Sequence, residues 1–182
     1  MLFRSVVAMQ EADHWITMNI RIGSRLPALT TAIGRTFLAC LPATMTDSRV
    51  EQERAEARFR GISVPSAGEI ESMKREIRAR RLSRAPSALI PGVDAVASPV
   101  FDERGALVAV MCVVARSEAR ITGWNGSAVR ALVETTEGLS RQLGFIEGTA
   151  RSPDRKASGA GVADSSGKSA IPRRAAVRRR SS

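Results

Sequence analysis

The stretch TTAIGR, residues 30–35, places hydroxyl-bearing and small residues where a helix is about to begin. Thr30 and Thr31 are both suitable N-cap residues, because a side-chain oxygen at that position accepts a hydrogen bond from a first-turn amide. A first turn also has unpaired amides and the positive end of the helix dipole, which together attract anions. The segment is therefore either an ordinary helix cap or a site for a small anion at the amides of Ala32 and Ile33. Taken alone, the residues favour capping.

The sequence offers little from which an enzyme active site could be built. Its single histidine, His14, stands where a strand is predicted to begin after a turn, a position typical of a surface residue. There is no glycine-rich phosphate loop, no H-E-x-x-H and no C-x-x-C. Cys40 and Cys112 lie in apolar runs, which predicts buried, reduced thiols that form neither a disulfide framework nor a metal site. We expect no enzyme, no cofactor and no metal.

Two short strands are predicted before the TTAIGR segment, at residues 3–9 and 14–22, joined by the polar turn QEAD. The second alternates in part between polar and apolar residues, as a half-buried strand does. The helix that begins at TTAIGR is expected to span residues 32–41 and to stop before Pro42, since proline does not continue a helix.

Two further helices are expected in the middle of the chain. The first lies within SRVEQERAEARF, residues 48–59, and its mostly polar composition predicts a surface helix. The next begins at an S-x-x-E capping box formed by Ser66 and Glu69. We expect the basic run KREIRARR, residues 74–81, to form the solvent-exposed face of this helix. Its buried residues, at helical spacing, are Ile70, Met73 and Ile77.

The strongest strand signal is a hairpin formed by residues 93–101, the turn DERG and residues 106–114. The second strand is apolar on both faces, which predicts a central position in a sheet covered on both sides. A last helix is expected over residues 127–143, with Gly144 as its C-terminal left-handed residue. Its buried face is predicted to comprise Val129, Leu132, Val133, Leu139 and Leu143.

Length, composition and charge bound the remaining possibilities. A chain of 182 residues with 43% hydrophobic content suffices for one ordinary domain. Of the net charge of +10, residues 149–182 carry +7, from nine basic and two acidic side chains. This segment has almost no large apolar residue, which predicts a disordered basic tail at residues 147–182 after a domain at residues 1–146. No apolar run could span a bilayer and no signal peptide is evident, so we expect a cytoplasmic protein without a membrane partner.

Three phrases, in this order, resemble one protein family. RIGSRLPALTTAIGRTFLACL is similar to the G-x-R-L-P and G-[KR]-x-x-L-A segment of IclR-type bacterial transcription regulators. PGVDAVASPVFDERGALVAVMCVVA resembles the hairpin motif of that family, and ALVETTEGLSRQLGF looks like its closing helix. The first phrase is closest to the branch that senses aromatic-pathway acids. The chain is identified as a member of this family over about residues 13–144.

The resemblance implies an α+β, GAF-like effector-binding domain, in which helices pack against an antiparallel sheet with a ligand pocket on one side. Family members carry an N-terminal winged helix-turn-helix that binds promoter DNA, and they act as dimers or tetramers. No such module precedes the first predicted strand in this sequence. We therefore expect an N-terminally truncated sensor domain, which a truncated gene, a misassigned start or a genuine stand-alone protein would each explain.

The resemblance also implies where a ligand is held. In the family, amides at the start of the helix that matches residues 32–41 receive a carboxylate, with the Thr31 hydroxyl as a further donor here. Arg35 corresponds to a basic residue packed at the surface. Positions that are polar in members binding small keto acids are here Ala85, Ala95 beside Val93, Cys112 and Val114. Because buried polar groups need partners, the ligand expected is larger, with one carboxylate and an apolar body, such as an aromatic acid. The implied ligand-binding set is Thr31, Ala32, Ile33, Gly34, Val93, Ala95, Cys112 and Val114.

The function expected is that of a carboxylic acid sensor domain, in which the ligand modulates the oligomeric state, a homodimer or tetramer, or DNA binding. One alternative is a protein that associates non-specifically with nucleic acid through the arginine-rich end IPRRAAVRRRSS. No aromatic residue interleaves those arginines, so a stacking platform for single strands is not indicated. Another alternative is a remnant that acts only as a dimerisation partner.

Overall fold

A computed structural model describes residues 6–10, 22–24, 26–85 and 90–147 of the chain. His14 and, apart from Glu147, the predicted tail lie outside these ranges. The described helices and strands are α1 (Ala32–Cys40), α2 (Ala43–Phe59), α3 (Ala67–Arg80), β1 (Ser83–Ala85), β2 (Val93–Phe101), β3 (Leu107–Arg116) and α4 (Ser127–Gln142). A single 3-10 turn, Ser117–Ala119, lies between β3 and α4. The expected α+β class is confirmed.

The strands form an antiparallel sheet in the order β1–β2–β3. Ala95 of β2 lies opposite Ala85 of β1 on one side and Val114 of β3 on the other. The predicted hairpin is confirmed, and the carboxylate of Asp102 accepts hydrogen bonds from the amides of Arg104 and Ala106 at 2.9 and 2.8 Å in its turn. These bonds explain why a turn forms at DERG, because an aspartate side chain readily accepts from amides that follow it.

Within the described sheet β2 is central and β3 lies at one side. The predicted central position of the second hairpin strand would need a further strand beside β3, and most of the two predicted N-terminal strands lies outside the described residues, so it stays a prediction. Every residue of β3 is half-buried or exposed, and Val108 is 51% exposed. β1 had no signal in the sequence, because three residues are too short to display alternation.

Helices α1 and α4 cover opposite faces of the sheet. Successive residues of a strand point to opposite sides, so Val96 and Ala97 belong to different cores. Val96 packs beneath α4 with Leu132, while Ala97 packs beneath α1 with Ala32. A third cluster joins α3 to α1 and to the loop before α1, and its buried members are Ala28, Leu29, Leu38 and Ile70.

The helix boundaries follow the predicted caps with one exception. Both hydrogen bonds of the predicted capping box at Ser66 and Glu69 are present at the start of α3. Gly144, just beyond α4, has a φ of +83°, as expected for a left-handed residue. α2 is longer than predicted: it begins at Ala43, directly after Pro42, because nothing in the ATMTD segment interrupts a helix.

Two expected helix faces differ from the structure. The run KREIRARR is not wholly solvated, since Lys74 is 7% exposed and its ammonium pairs with Glu71 at 2.7 Å. Long basic side chains can bury their stems while the charged end finds a partner. On α4, Leu139 and Leu143 are exposed, and the buried line continues through hydroxyl residues. Ser140 accepts a hydrogen bond from the amide of Phe101 at 3.0 Å, so polar contacts with β2 replace the predicted apolar ones.

The two predicted N-terminal strands lie mostly outside the described residues. Within them, the Val6 amide donates to the carbonyl of Ser24 at 3.4 Å, and the Gly23 amide donates to the carbonyl of Val6 at 2.8 Å. These bonds place Val6, within the first predicted strand, beside Gly23 and Ser24, which directly follow the second predicted strand. No helix in the described ranges is long and apolar enough to cross a membrane. Nor do His, Cys, Asp or Glu side chains there form a group that could hold a metal ion.

Candidate functional site

Thr31, rather than Thr30, is the N-cap of α1. Its hydroxyl oxygen accepts a hydrogen bond from the Gly34 amide at 2.9 Å and donates to the carbonyl of Pro27 at 2.7 Å. The side chain is buried, with 7% of the residue exposed. In this structure the Thr31 hydroxyl therefore donates its hydrogen to Pro27, and the Gly34 amide donates to Thr31, so neither hydrogen is available to a ligand.

Gly34 is required by the close approach of the loop before α1. A Cβ at this position would stand 2.2 Å from the Pro27 carbonyl oxygen and 2.5 Å from the Ala28 Cα. Both neighbours are backbone atoms, which cannot swing aside as the end of a side chain can. The side of Gly34 on which a Cβ would stand is therefore packed against the loop before α1.

Two first-turn amides of α1 remain available. Among the residues that the structure describes, the amides of Ala32 and Ile33 have no hydrogen-bond acceptor, whereas the Arg35 amide already donates to the Thr31 carbonyl at 2.9 Å. Ala32 is buried and Ile33 is half-buried. Because unpaired first-turn amides coincide with the positive end of the helix dipole, this turn can accept a carboxylate oxygen or another small anion.

The turn just before α1 already holds a carboxylate from the chain itself. Both carboxylate oxygens of Glu53, on α2, lie 2.8 Å from the Ala28 amide, and one lies 3.0 Å from the Leu29 amide. Arg49, one helical turn earlier on α2, pairs with Glu53 at 2.9 Å. This arrangement fixes the loop that abuts Gly34, and with it the start of α1.

An apolar floor lies beneath the start of α1. Buried Ala32, Ala85 and Ala97 form its centre. The half-buried side chains packed against them are Ile33, Ala95, Val110 and Cys112. The structure thus brings together four residues of the predicted set: Ala32 and Ile33 from the first turn of α1, Ala95 from β2 and Cys112 from β3.

The other two predicted strand residues share the same face of the sheet. Val114 is the cross-strand partner of Ala95, and directly opposed residues of an antiparallel pair project to one side. Val93 lies two residues before Ala95 and therefore on that side too. Neither belongs to the alanine-centred cluster, so they extend the apolar surface beyond it.

The thiol of Cys112 adds apolar surface rather than charge. Burial raises its pKa to about 12, and burial likewise raises the pKa of Cys40 to about 12, although nearby Arg78 and Arg81 oppose the shift at Cys40. Both thiols are free and are neutral at physiological pH, as predicted for reduced, apolar cysteines. The predicted set therefore contains no side chain that is ionised at neutral pH, and it can bind a ligand but offers no base or nucleophile.

Sequence reasoning missed the role of Arg35, which was expected to pack at the surface. Its side chain is half-buried: Nε donates to the Leu29 carbonyl and Nη1 donates to the Arg84 carbonyl, each at 2.9 Å. Burial lowers the pKa of this guanidinium. The Arg35 side chain thereby connects α1 to β1. The sequence did not predict this contact, because β1 is too short to show a strand pattern.

Comparison with known proteins identifies the family. The model of the bacterial transcriptional regulator IclR C-terminal domain matches residues 5–141, and the chain therefore belongs to this family. Among solved structures, Pseudomonas aeruginosa HmgR is 31% identical, with a TM-score of 0.70 over 79% of this chain and 56% of that one. A comparison with curated protein sequences gives no significant match.

Two further structures extend the likeness. The Agobacterium tumefaciens repressor BlcR is 25% identical, with a TM-score of 0.54 over 70% of this chain and 51% of that one. Thermotoga maritima IclR is 21% identical and shares the fold, with a TM-score of 0.61 over 75% of this chain and 55% of that one. This chain therefore spans little more than half the length of these three relatives.

Proposed function

We propose that this chain is the effector-binding domain of an IclR-type transcription regulator and that the N-terminus of α1 receives the carboxylate of an organic acid. Membership of the IclR C-terminal family supports the general role. The observation that carries the proposed ligand site is the pair of unaccepted amides at Ala32 and Ile33, directly above an apolar floor. A carboxylate there makes charge-assisted hydrogen bonds to those amides.

The side chains of the apolar floor and of the adjoining strand surface indicate which chemical groups the ligand carries besides its carboxylate. Ala95, Val114 and the neutral thiol of Cys112 offer no strong hydrogen-bonding group. A compact ligand with several polar groups would leave some of them unpaired, which costs free energy. An acid with one carboxylate and an apolar body, such as an aromatic acid, leaves none unpaired and buries its apolar part against the sheet.

Regulation in this proposal is a population shift. A ligand that binds one arrangement of a homodimer or tetramer more tightly than another moves the equilibrium by the ratio of the two affinities. The domain needs no chemical step for this, so the proposed function is non-enzymatic. In this proposal the ligand affects promoter DNA indirectly, through a DNA-binding module that associates with the domain.

The test is a thermal-shift screen of the whole chain against aromatic and aliphatic carboxylic acids, with two matched proline variants. Ala32→Pro removes one proposed ligand amide, and Ala67→Pro makes the same change at the first residue of α3. Thr31 and Ser66, which precede these alanines, both have extended backbones that tolerate a following proline. Because a ligand that binds the native state raises the melting temperature, one class of acid should stabilise the parent chain and Ala67→Pro but not Ala32→Pro.

Two outcomes would overturn the proposal. One is a parent chain that melts cooperatively and is stabilised by no acid, which would favour a protein that acts only as a dimerisation partner. The other is an Ala32→Pro variant that melts cooperatively and keeps the full response to the acid, which would place the ligand elsewhere.

The charge of residues 149–182 supports a second candidate function, non-specific association with nucleic acid. Such binding weakens steeply with salt because it releases counterions. The discriminating experiment compares the whole chain with a variant ending at Glu147, using a fluorescent DNA duplex at several salt concentrations. Strong, salt-sensitive binding that vanishes with the tail, together with no acid response, would favour this candidate over the sensor.

A further inference from the structure

A cavity of about 270 Å³ opens between α3 and β1, and Arg35 of α1 contributes to its lining. Its apolar lining comes from Met73 and Ile77 of α3, from Leu82 and from Trp124. The proposed effector residues lie on residues 31–34, β2 and β3, whereas the cavity is lined by α3, by β1 with the residue before it, and by residues between β3 and α4. Its volume is a little below the roughly 300 Å³ of the smallest typical ligand pockets, so it suits a ligand of few atoms.

The charges that line the cavity do not balance. Arg35 and Arg84 both line it, and within the described part of the chain neither guanidinium forms a salt bridge with a carboxylate. Their described hydrogen bonds go to backbone carbonyls instead, including one from Arg84 to the Thr122 carbonyl at 2.9 Å. Glu76, the acidic residue of the lining, lies 3.5 Å from Arg80. A cavity with two half-buried cations of this kind favours the entry of an anion.

A buried hydroxyl adds to this imbalance. Ser83 is one of the lining residues, and its hydroxyl oxygen is the one buried side-chain nitrogen or oxygen in the described residues without a hydrogen-bond partner. Ser83 is 1% exposed, so solvent does not satisfy it. Rotation of the side chain toward the cavity would give this hydroxyl an acceptor on a bound anion.

We infer that this cavity is a second binding site, distinct from the start of α1, for a compact organic monocarboxylate. The carboxylate lies toward the guanidinium groups of Arg35 and Arg84, and the apolar body lies against Met73, Ile77 and Leu82. The inference does not depend on the proposed effector site, because the two sites share no lining residue.

The lining favours a monocarboxylate over inorganic phosphate. Four apolar side chains would face a phosphate that has no apolar surface to bury against them. The carboxylate of Glu76 would also repel a second negative charge, although Arg80 offsets part of that repulsion. A single carboxylate on a small hydrophobic body satisfies both the cations and the apolar walls.

Trp124 supplies a built-in reporter and a matched pair of variants. The guanidinium carbons of Arg84 and Arg80 lie 3.4 Å and 4.2 Å from the centroid of the Trp124 ring, but Arg84 lines the cavity and Arg80 does not. Arg84→Gln and Arg80→Gln therefore both remove a cation from the indole, and only the first removes one from the cavity.

The experiment titrates benzoate into the whole ¹⁵N-labelled chain and follows the indole N–H resonance of Trp124, assigned by its loss in Trp124→Phe. We expect a saturable shift, an affinity at least about tenfold lower in Arg84→Gln, and a change below about threefold in Arg80→Gln. The Ala32→Pro variant should retain the response, which separates this site from the effector site.

A further variant guards against misfolding of Arg84→Gln. Met73→Phe narrows the cavity without changing charge, and it should weaken benzoate binding while the chain still melts cooperatively. The inference is overturned if benzoate leaves the Trp124 resonance unmoved, if the two arginine variants weaken binding equally, or if Met73→Phe has no effect. Tighter binding of inorganic phosphate than of benzoate would also contradict it.

Discussion

The hydroxyl oxygen of Thr31 lies 2.9 Å from the amide nitrogen of Gly34 and satisfies the third amide of α1. The first two amides, of Ala32 and Ile33, are left without an acceptor among the described residues. Capping and anion binding, which compete as readings of the sequence, are thus compatible in the structure, because the cap uses one amide and a ligand would use the others.

The contact between Gly34 and the preceding loop gives a sharp stability prediction. Gly34→Ala should lower the free energy of unfolding by about 3 kcal/mol or more, because the new Cβ meets backbone atoms of Pro27 and Ala28. Gly68→Ala, in the first turn of α3, meets nothing within 4 Å and should raise the free energy of unfolding by about 0.5–1 kcal/mol. Urea denaturation measures both, and equal effects would contradict the close approach.

Glu53 fixes the loop before α1, so neutralising it should loosen the site. Glu53→Gln should lower the free energy of unfolding by about 1–3 kcal/mol, since it weakens charge-assisted bonds to the Ala28 and Leu29 amides. Glu56→Gln removes an exposed pair with Arg60 from the same helix and should change it by less than about 0.5 kcal/mol. Urea unfolding of the two variants measures both changes. Equal losses of stability in the two variants would contradict the role of Glu53 in fixing the loop.

Two buried serines on neighbouring strands should respond to alanine with opposite signs. Ser83→Ala removes a hydroxyl without a partner and should raise the free energy of unfolding by about 1 kcal/mol. The Ser98 hydroxyl bonds to the Arg81 carbonyl and to the Thr136 hydroxyl, each at 2.8 Å, so Ser98→Ala should lower it by about 1–3 kcal/mol. A destabilising Ser83→Ala would mean that the Ser83 hydroxyl has a partner in solution.

The raised pKa of both thiols predicts a loss of stability at alkaline pH. Between the ordinary value near 9 and about 12, the folded chain keeps thiol protons that the unfolded chain releases, so the free energy of unfolding falls as pH rises. Each thiol contributes up to about 1.4 kcal/mol per pH unit in that interval. A variant with both Cys40→Ala and Cys112→Ala should show a shallower decline between pH 8 and about 10.5 in urea denaturation. An unchanged slope would show that the thiols are not buried in solution.

Much of the fold could be predicted because its signals are local. The capping box at Ser66 and Glu69, the DERG turn and the glycine after α4 each reflect contacts within a few residues. The start of α1 was predicted for the same reason. Features that depend on distant partners were predicted less well, as the hydroxyl contacts of Thr136 and Ser140 with β2 illustrate.

The candidate site could be predicted only in part for the same physical reason. Family resemblance alone pointed to Val93, Ala95, Cys112 and Val114 of the hairpin strands, and the structure places Ala95 and Cys112 beneath α1. The close approach at Gly34 and the bridge from Arg35 to Arg84 arise from packing between segments up to 49 residues apart. No pattern within a short window carries that information.

The proposed carboxylate site at the start of α1 is best tested by following the backbone amide resonances of Ala32 and Ile33 in the ¹⁵N-labelled chain. The titrant is the carboxylic acid that gives the largest thermal shift. Both resonances should move and saturate at the concentration that saturates the thermal shift, while those of Ala67 and Gly68 at the start of α3 stay in place. Saturable binding that leaves the Ala32 and Ile33 amides unmoved would contradict a carboxylate site at the start of α1.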